Sequence, residues 1–181
     1  MSAAVTLERA AQVKLMTGVA RHVYGGPEGL HLEQVVRPMP GANEILARVR
    51  SAGVARSAWH LMTGLPYLVR VAGFGVRRPK RPLLGSEFAG VVEAVGSGVT
   101  RFKPGDEVYG SGDGAFAEYV VARDDRLAAK PASLTFEEAA AIPESGSTAL
   151  QAVRDKGRVQ VGQKVVVIGA SGGVGSYAVQ I

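Results

Sequence analysis

Short apolar segments separated by glycine and proline run through residues 14–130. Apolar-rich segments at 14–22 and 30–36 flank a turn at 24–29 that holds three glycines and a proline, which predicts a β-hairpin. Further segments of strand character lie at 88–95, 107–109, 115–121 and 127–130. Short strands at such close spacing are typical of a small β-barrel.

One predicted strand shows both of its faces in the sequence. Ile45, Ala47 and Val49 alternate with Leu46, Arg48 and Arg50. Side chains of a strand point alternately to opposite sides, so this pattern predicts a strand with the first set in the core and the second set facing water.

Three stretches carry helical signals. Residues 56–62 predict a short helix that ends at Gly64. Thr135 and Glu138 form a capping-box pattern, which predicts a helix that starts there and ends near Pro143. A further helix is predicted over 144–156, with Gly157 as its C-cap.

The C-terminal region has a different pattern. Residues 165–168 form an apolar run rich in β-branched side chains, which predicts a strand buried on both faces, as in a parallel sheet. Glycines at 169, 172 and 175 then turn the chain, and 176–181 predict the first turns of a helix. Backbone in such a turn can approach a pyrophosphate, and the free N–H groups and positive end of the helix attract its charge.

This turn predicts a dinucleotide site, with one alternative left open. The glycine spacing is Gly-x-x-Gly-x-x-Gly and not the standard Gly-x-Gly-x-x-Gly, so a tight turn without a ligand is the competing interpretation. A second strand and a residue that reads the ribose would lie beyond Ile181, so we expect an incomplete α/β unit in this chain.

Composition narrows the classes of function. The 181 residues include no cysteine, which excludes thiolate zinc sites, cysteine nucleophiles and iron–sulfur clusters. No apolar run has the length of a membrane span, so no membrane partner is expected. Residues 1–13 lack the apolar core of a secretion signal and are predicted to be a disordered leader, and we expect a cytoplasmic protein.

The net charge of +5 leaves room for a nucleic-acid partner. The densest basic cluster is interrupted by glycine and proline and includes one aromatic residue, Phe74. Its members are Arg70, Arg77, Arg78, Lys80 and Arg81. No helix or stacking platform presents these charges, so we favour a solvated loop and expect no nucleic-acid partner.

Six ordered sequence blocks resemble the medium-chain dehydrogenase/reductase superfamily. They are 24–27 (YGGP), 84–90 (LGSEFAG), 103–108 (KPGDEV), 115–119 (AFAEY), 147–150 (STAL) and the glycine turn at 169–175. The resemblance implies a mainly β barrel (α+β) like that of the co-chaperonin GroES over residues 14–134. It implies that residues 135–181 are linker helices and the start of a truncated α/β Rossmann unit. The branch that this chain resembles is the zinc-free quinone oxidoreductase and enoyl reductase group.

Departures from the zinc-dependent members indicate that branch. Those members place a cysteine where this chain has Ala55 and a histidine where it has Ser86, and the short link at 109–114 has no room for their four-cysteine lobe. We therefore expect no metal and no zinc. His22, His31 and His60 could not replace the site without partners, and the plain interpretation of each is a surface or core imidazole.

The resemblance also implies cofactor-binding residues. Thr148 matches the position that contacts the nicotinamide end. The glycine turn matches the pyrophosphate site, and its residues are Gly169, Ala170, Ser171, Gly172, Gly173, Val174 and Gly175. NADPH is favoured over NADH by the branch and by the basic surface, and NADH stays open.

Substrate residues are harder to place. The family's asparagine and aspartate in the cleft are replaced by Ala55 and Ala58, which leaves His60, Tyr67 and Trp59 as pocket candidates. His60 could donate to a carbonyl oxygen, or it could be a helix-face histidine packed on the barrel. Glu87 matches the residue beside the lost metal site and is predicted to be structural.

These observations predict a zinc-independent NAD(P)H oxidoreductase that transfers a hydride to a quinone, an enone or a related carbonyl. The alternative is a non-catalytic GroES-like module, either a fragment or an interaction partner. A basic nucleic-acid binder is the third hypothesis. Members of the superfamily commonly pair through the Rossmann sheet edge, so a homo-oligomer is left open.

Overall fold

A computed structural model describes residues 13–181 of the chain. Apart from Val13, the leader predicted for residues 1–13 lies outside the described residues.

The predicted hairpin is present at the start of the described chain. β1 (Leu15–Ala20) and β2 (His31–Val36) pair antiparallel, from Leu15 opposite Val36 to Ala20 opposite His31. The glycine- and proline-rich turn between them lets the chain reverse direction.

A five-stranded antiparallel sheet forms the main layer. Its strands are β3 (Glu44–Ala52), β4 (Glu87–Val95), β5 (Glu107–Ser111), β6 (Tyr119–Arg123) and β7 (Leu127–Ala129), in the order β6-β3-β4-β5-β7. β1 is attached to this layer by backbone hydrogen bonds, from Val19 N–H to Phe116 O at 2.7 Å and from Glu118 N–H to Thr17 O at 3.0 Å. The strands therefore curl into a partly closed barrel, as the GroES-like prediction requires.

The largest fully buried side chains of the described residues lie in the core of the barrel. Phe88, Ile45, Val108 and Val120 are fully buried, and smaller apolar residues pack around them. Ile45 and Ala47 face this core and Arg48 and Arg50 are exposed, as the alternating pattern predicts.

Two details of the predicted strands are wrong. Leu46 is only 4% exposed, although the pattern assigned it to the wet face. It lines a cavity together with Met39 and Ala94, so the connection after β2 covers this end of the strand. The strand predicted over 115–121 begins only at Tyr119, and upstream of it Ala117 makes a single bridge to Gly18.

The helices follow their local signals. α1 (Arg56–Thr63) ends at Gly64, which takes the left-handed conformation with φ of 64°. α2 (Phe136–Ala140) has both bonds of the capping box, at 3.2 and 2.8 Å. α3 (Pro143–Leu150) is α-helical over fewer residues than predicted, because 151–156 continue as a wider π-helical turn.

α4 (Gly173–Gln180) follows the glycine turn, but the strand predicted before that turn does not form. Within residues 13–181 no strand pairs with 165–168, and Val166 and Ile168 are 88% and 96% exposed. A β-strand needs a partner for its backbone hydrogen bonds, so the apolar run alone does not produce one.

Within residues 13–181 no helix combines the length and the apolar character needed to cross a bilayer.

Arg21 connects three parts of the barrel end. Its side chain is buried, and its Nε and Nη2 donate to the Leu61 carbonyl in α1 at 3.2 and 2.7 Å. Nη1 donates to the carbonyls of Arg81 and Pro82 at 3.2 and 3.4 Å. One guanidinium group therefore joins β1, the last turn of α1 and the segment before β4.

We expect Arg21→Met to lower the free energy of unfolding by about 2–4 kcal/mol, because partly buried carbonyl oxygens would lose the charge-assisted hydrogen bonds of a buried guanidinium group. The measurement is urea denaturation followed by circular dichroism. Arg123→Met is the control, since Arg123 is exposed and pairs only with its neighbour Asp125, and it should change stability by less than about 0.5 kcal/mol. Equal midpoints for the Arg21 variant and the unmodified chain would contradict this role.

Candidate functional site

A cleft of about 440 Å³ lies where the barrel meets the C-terminal helices. Its lining comes from the connection between β3 and α1 with the first residue of α1, from the first residue of β4, from α3 and the chain just before it, and from the start of α4. The cleft residues are Gly53, Val54, Ala55, Arg56, Glu87, Ala141, Glu144, Ser145, Thr148, Gly173 and Val174.

Glu87 holds the barrel side of the cleft to α3. Its residue is 3% exposed, and its Oε2 accepts the backbone N–H of Glu144 at 3.0 Å. Its backbone carbonyl accepts the N–H of Gly53 at 3.2 Å. A Cβ on Gly53 would lie 2.4 Å from Glu87 Oε1 and 2.6 Å from Ala140 O, so only glycine fits between the carboxylate and the helix.

The environment of Glu87 makes ionisation of its carboxyl group less favourable than it is in water. Burial raises the pKa of the Glu87 carboxyl, and the negative charge of Glu144 raises it further, while the hydrogen bond from the Glu144 N–H opposes both effects. The structural role that the sequence predicts for Glu87 agrees with these contacts.

Two serine hydroxyls converge on the other carboxylate. Ser57 Oγ donates to Glu144 Oε2 at 2.6 Å, and Ser86 Oγ donates to the same oxygen at 3.0 Å. Ser57 is on α1, Ser86 precedes β4, and Glu144 is in the first turn of α3. The sequence pattern does not predict this cluster, although Ser86 stands at the position of the zinc-binding histidine and Glu144 follows the proline that begins α3.

The donor set of the cleft does not suit a tetrahedral zinc site. Such sites use thiolate and imidazole ligands with some carboxylates. Neither a cysteine nor a histidine lines the cleft. Its two carboxylates already accept hydrogen bonds, Glu87 from a backbone N–H and Glu144 from two hydroxyls.

The glycine turn reverses the chain direction immediately before α4. Gly169 has φ of 78°, and the N–H of Gly172 donates to its carbonyl at 3.0 Å. A Cβ on Gly175 would lie 2.1 Å from Gly169 O, so this position accepts only glycine. The first N–H groups of a helix have no acceptor within it, and here they begin at Gly173, on the cleft. This arrangement fits the diphosphate of a dinucleotide.

Thr148 lines the same cleft as the start of α4. Its hydroxyl donates to the Glu144 backbone carbonyl at 2.7 Å, one helical turn earlier. Of the predicted cofactor residues, the structure therefore brings Thr148, Gly173 and Val174 to the cleft. Gly169, Ala170, Ser171 and Gly172 precede α4 and Gly175 lies in its first turn, and none of these five residues lines the cleft.

The three substrate candidates lie outside the cleft lining. His60 directs Nδ1 to the Leu65 carbonyl at 2.6 Å and packs edge-on against Trp59, with 5.1 Å between the ring centroids. Trp59 also stacks under the guanidinium of Arg56 at 4.4 Å. Tyr67 is 70% exposed. Their role as substrate contacts stays a prediction.

A second cavity of about 390 Å³ lies on the far side of Ser86. Arg21, Leu61, Lys80 and Arg81 are part of its lining, so the basic loop faces this cavity. The basic loop is also held at its Arg70 end. There the Arg70 side chain donates to Gly64 O at 3.0 Å and its guanidinium stacks on Tyr24 at 4.4 Å. The hydrogen bond from Ser86 to Glu144 lies between the two cavities.

Comparisons with known proteins agree with this geometry. The sequence matches the family model described as the alcohol dehydrogenase GroES-like domain over residues 41–132. The quinone oxidoreductase of Mus musculus is 36% identical over 172 residues, which are 93% of this chain and 49% of the mouse protein.

Solved structures of related proteins also superimpose on nearly the whole of this chain. The CurK enoyl reductase superimposes with a TM-score of 0.84 at 28% identity, covering 92% of this chain and 51% of that one. A mycobacterial structure complexed with NADPH superimposes with a TM-score of 0.77 at 31% identity, covering 91% and 48%. The chain spans about half the length of the relatives it matches.

We expect Glu87→Gln to stabilise the protein more at about pH 8 than at about pH 5. The folded-state pKa of Glu87 is raised, so the unmodified protein loses stability as the pH rises through that pKa and a buried charge must form. A glutamine has no such charge and still presents an oxygen to the Glu144 N–H.

Thermal unfolding of both proteins at the two pH values measures this difference. Glu137→Gln, on the exposed surface of α2, is the matched control and should show no pH-dependent difference. A difference that is equal at both pH values, or that the control reproduces, would contradict the assigned role of Glu87.

Proposed function

Because the chain belongs to the alcohol dehydrogenase GroES-like family, in the quinone oxidoreductase and enoyl reductase branch of the medium-chain dehydrogenase/reductase superfamily, we propose that it serves a zinc-independent NAD(P)H oxidoreductase. The hydride acceptor is a quinone, an enone or a related carbonyl. Residues 14–134 supply the substrate-side barrel, and 135–181 supply the linker helices and the start of the nucleotide-binding unit.

The shared cleft is the observation that carries this proposal. The β3–α1 connection of the barrel and the N-terminal end of α4 line one cavity with Thr148 between them. A reductase needs a nucleotide-binding wall and a substrate-binding wall that face each other, and this arrangement supplies both.

The chain's own residues would hold the cofactor at two points. The backbone N–H groups at the start of α4 bind the diphosphate, and the glycine at 175 lets the turn pack against the helix. Thr148 lies on the cleft for the nicotinamide end. When bound, the nicotinamide supplies a hydride, which is chemistry that no side chain provides. The mycobacterial relative solved with NADPH supports the choice of NADPH.

A metal is unnecessary in this scheme. A carbonyl oxygen that gains charge can be stabilised by hydrogen-bond donors in place of a Lewis acid. Ser57 and Ser86 carry hydroxyl groups beside the cleft, and both donate to the Glu144 carboxylate, which lines it. Each hydroxyl has one proton, so it donates to a substrate oxygen only after it turns away from Glu144. His60, Tyr67 and Trp59 remain proposed substrate contacts at the outer end of α1.

One observation favours a second function, a non-catalytic GroES-like module. The segment before the glycine turn forms no strand and leaves Val166 and Ile168 exposed to solvent. A nucleotide-binding unit normally holds that segment in a parallel sheet. The two functions differ in whether the chain binds a nicotinamide dinucleotide.

Titration of the purified chain with NADPH, followed by nicotinamide fluorescence, tests the proposal. We expect saturable binding, with NADH titrated in parallel to rank the two cofactors.

Gly175→Ala should weaken NADPH binding by about tenfold or more, because its Cβ would collide with the Gly169 carbonyl and displace the turn.

The matched control is Gly29→Ala, because a Cβ on Gly29 meets no atom within 4 Å. It should bind NADPH as the unmodified chain does. Absence of saturable binding would support the non-catalytic module. Equal affinity in the Gly175 variant would show that the turn does not hold the cofactor.

A further inference from the structure

Three potential metal ligands meet on the β1–β2 hairpin. His22 and His31 both direct Nε2 to the same oxygen of Glu33, at 2.7 and 2.8 Å from Oε1. The three ligand atoms lie within 4.8 Å of one another, and the two imidazole centroids are 5.4 Å apart. None of the three residues lines the proposed reductase cleft.

The hairpin register produces this convergence. Ala20 pairs with His31, and Gly18 pairs with Glu33. Alternate residues of a strand point to the same face, so His31 and Glu33 share one face of β2. His22 lies two residues after the end of β1, in the turn, and its imidazole reaches Glu33 from there. β2 therefore supplies two of the ligands and the turn supplies the third.

A further contact fixes the orientation of one ligand. His31 Nδ1 lies 3.3 Å from the Gly29 carbonyl. A proton on Nδ1 directed at a backbone carbonyl leaves the Nε2 lone pair for a metal, which is how metal-binding histidines are usually held. Without a metal, each Nε2 atom contacts the carboxylate oxygen of Glu33 through a hydrogen bond, because that oxygen can only accept. A divalent cation can replace the protons of those hydrogen bonds.

We propose that His22, His31 and Glu33 form a surface site for a divalent cation that prefers imidazole nitrogen, and that the cation it binds is Zn²⁺. Two imidazoles and one carboxylate match the ligands of zinc sites that keep a fourth position for water. With metal–ligand distances of about 2.0–2.2 Å, tetrahedral ligand atoms are roughly 3.3 Å apart. The histidine–carboxylate pairs must therefore open by about half an ångström.

The side chains have room for that adjustment. Those of His22, His31 and Glu33 are 57%, 45% and 31% exposed, so they can move without disturbing the barrel core. The bound ion would link the end of β1 to the start of β2. This site is independent of the reductase proposal, because it shares no residue with the cleft.

The test is isothermal titration of the purified chain with Zn²⁺. The background from other soft ligands is small, since the chain has three histidines and no cysteine. We expect one site, with affinity lowered about tenfold or more in His22→Gln, His31→Gln and Glu33→Gln. His60→Gln is the matched control because it also removes one histidine, and it should leave Zn²⁺ affinity unchanged.

A second measurement follows the histidine ring signals of the unmodified chain by proton NMR. Zn²⁺ should shift the signals of two histidines and leave the third unchanged, and only the His60→Gln variant is needed to identify the third. Absence of saturable Zn²⁺ binding would overturn the proposal. The proposal would also be overturned if the His22 and His31 variants bound Zn²⁺ as tightly as the unmodified chain does. A Zn²⁺-induced shift confined to the His60 signals would overturn it as well.

Discussion

A buried carboxylate on the first residue of β4 determines how the two parts of this chain meet. Glu87 accepts the N–H of Glu144 at 3.0 Å, and its own backbone carbonyl accepts the N–H of Gly53. The start of α3 and the β3–α1 connection are therefore held at one point of the barrel. The first-turn N–H groups of a helix need acceptors, and Glu87 supplies one at the cost of burying a carboxyl group.

That attachment brings polar groups from separate elements together in the cleft. With α3 in place, Glu144 extends toward Ser57 and Ser86, and its Oε2 accepts both hydroxyls. Thr148 follows one turn later, facing the cleft that α4 also lines. The cleft lining thus includes two carboxyl groups and the Thr148 hydroxyl, while the positions expected to hold cysteine and histidine in zinc-dependent members are Ala55 and Ser86. This composition is consistent with chemistry supplied by a bound dinucleotide and directed by hydrogen bonds.

Local patterns predicted much of the fold, and the family resemblance drawn from short blocks is confirmed. The capping box at Thr135 and the left-handed cap at Gly64 were predictable because each depends on a few neighbouring residues. Leu46 and the 165–168 segment were not, because burial and strand formation depend on distant partners. Met39 lines the cavity over Leu46, whereas no strand within residues 13–181 pairs with Val166.

By itself, the sequence determined most of the strand and helix positions in residues 14–150, the family, and the glycines that shape the terminal turn. Those properties follow from backbone preference and from the spacing of side chains along the chain. Only the tertiary structure decided that Ser57, Ser86 and Glu144 share one hydrogen-bonded cluster, and that His22 and His31 meet at Glu33. Both groupings join residues through strand register and helix packing, which fix distances that separation along the chain does not contain.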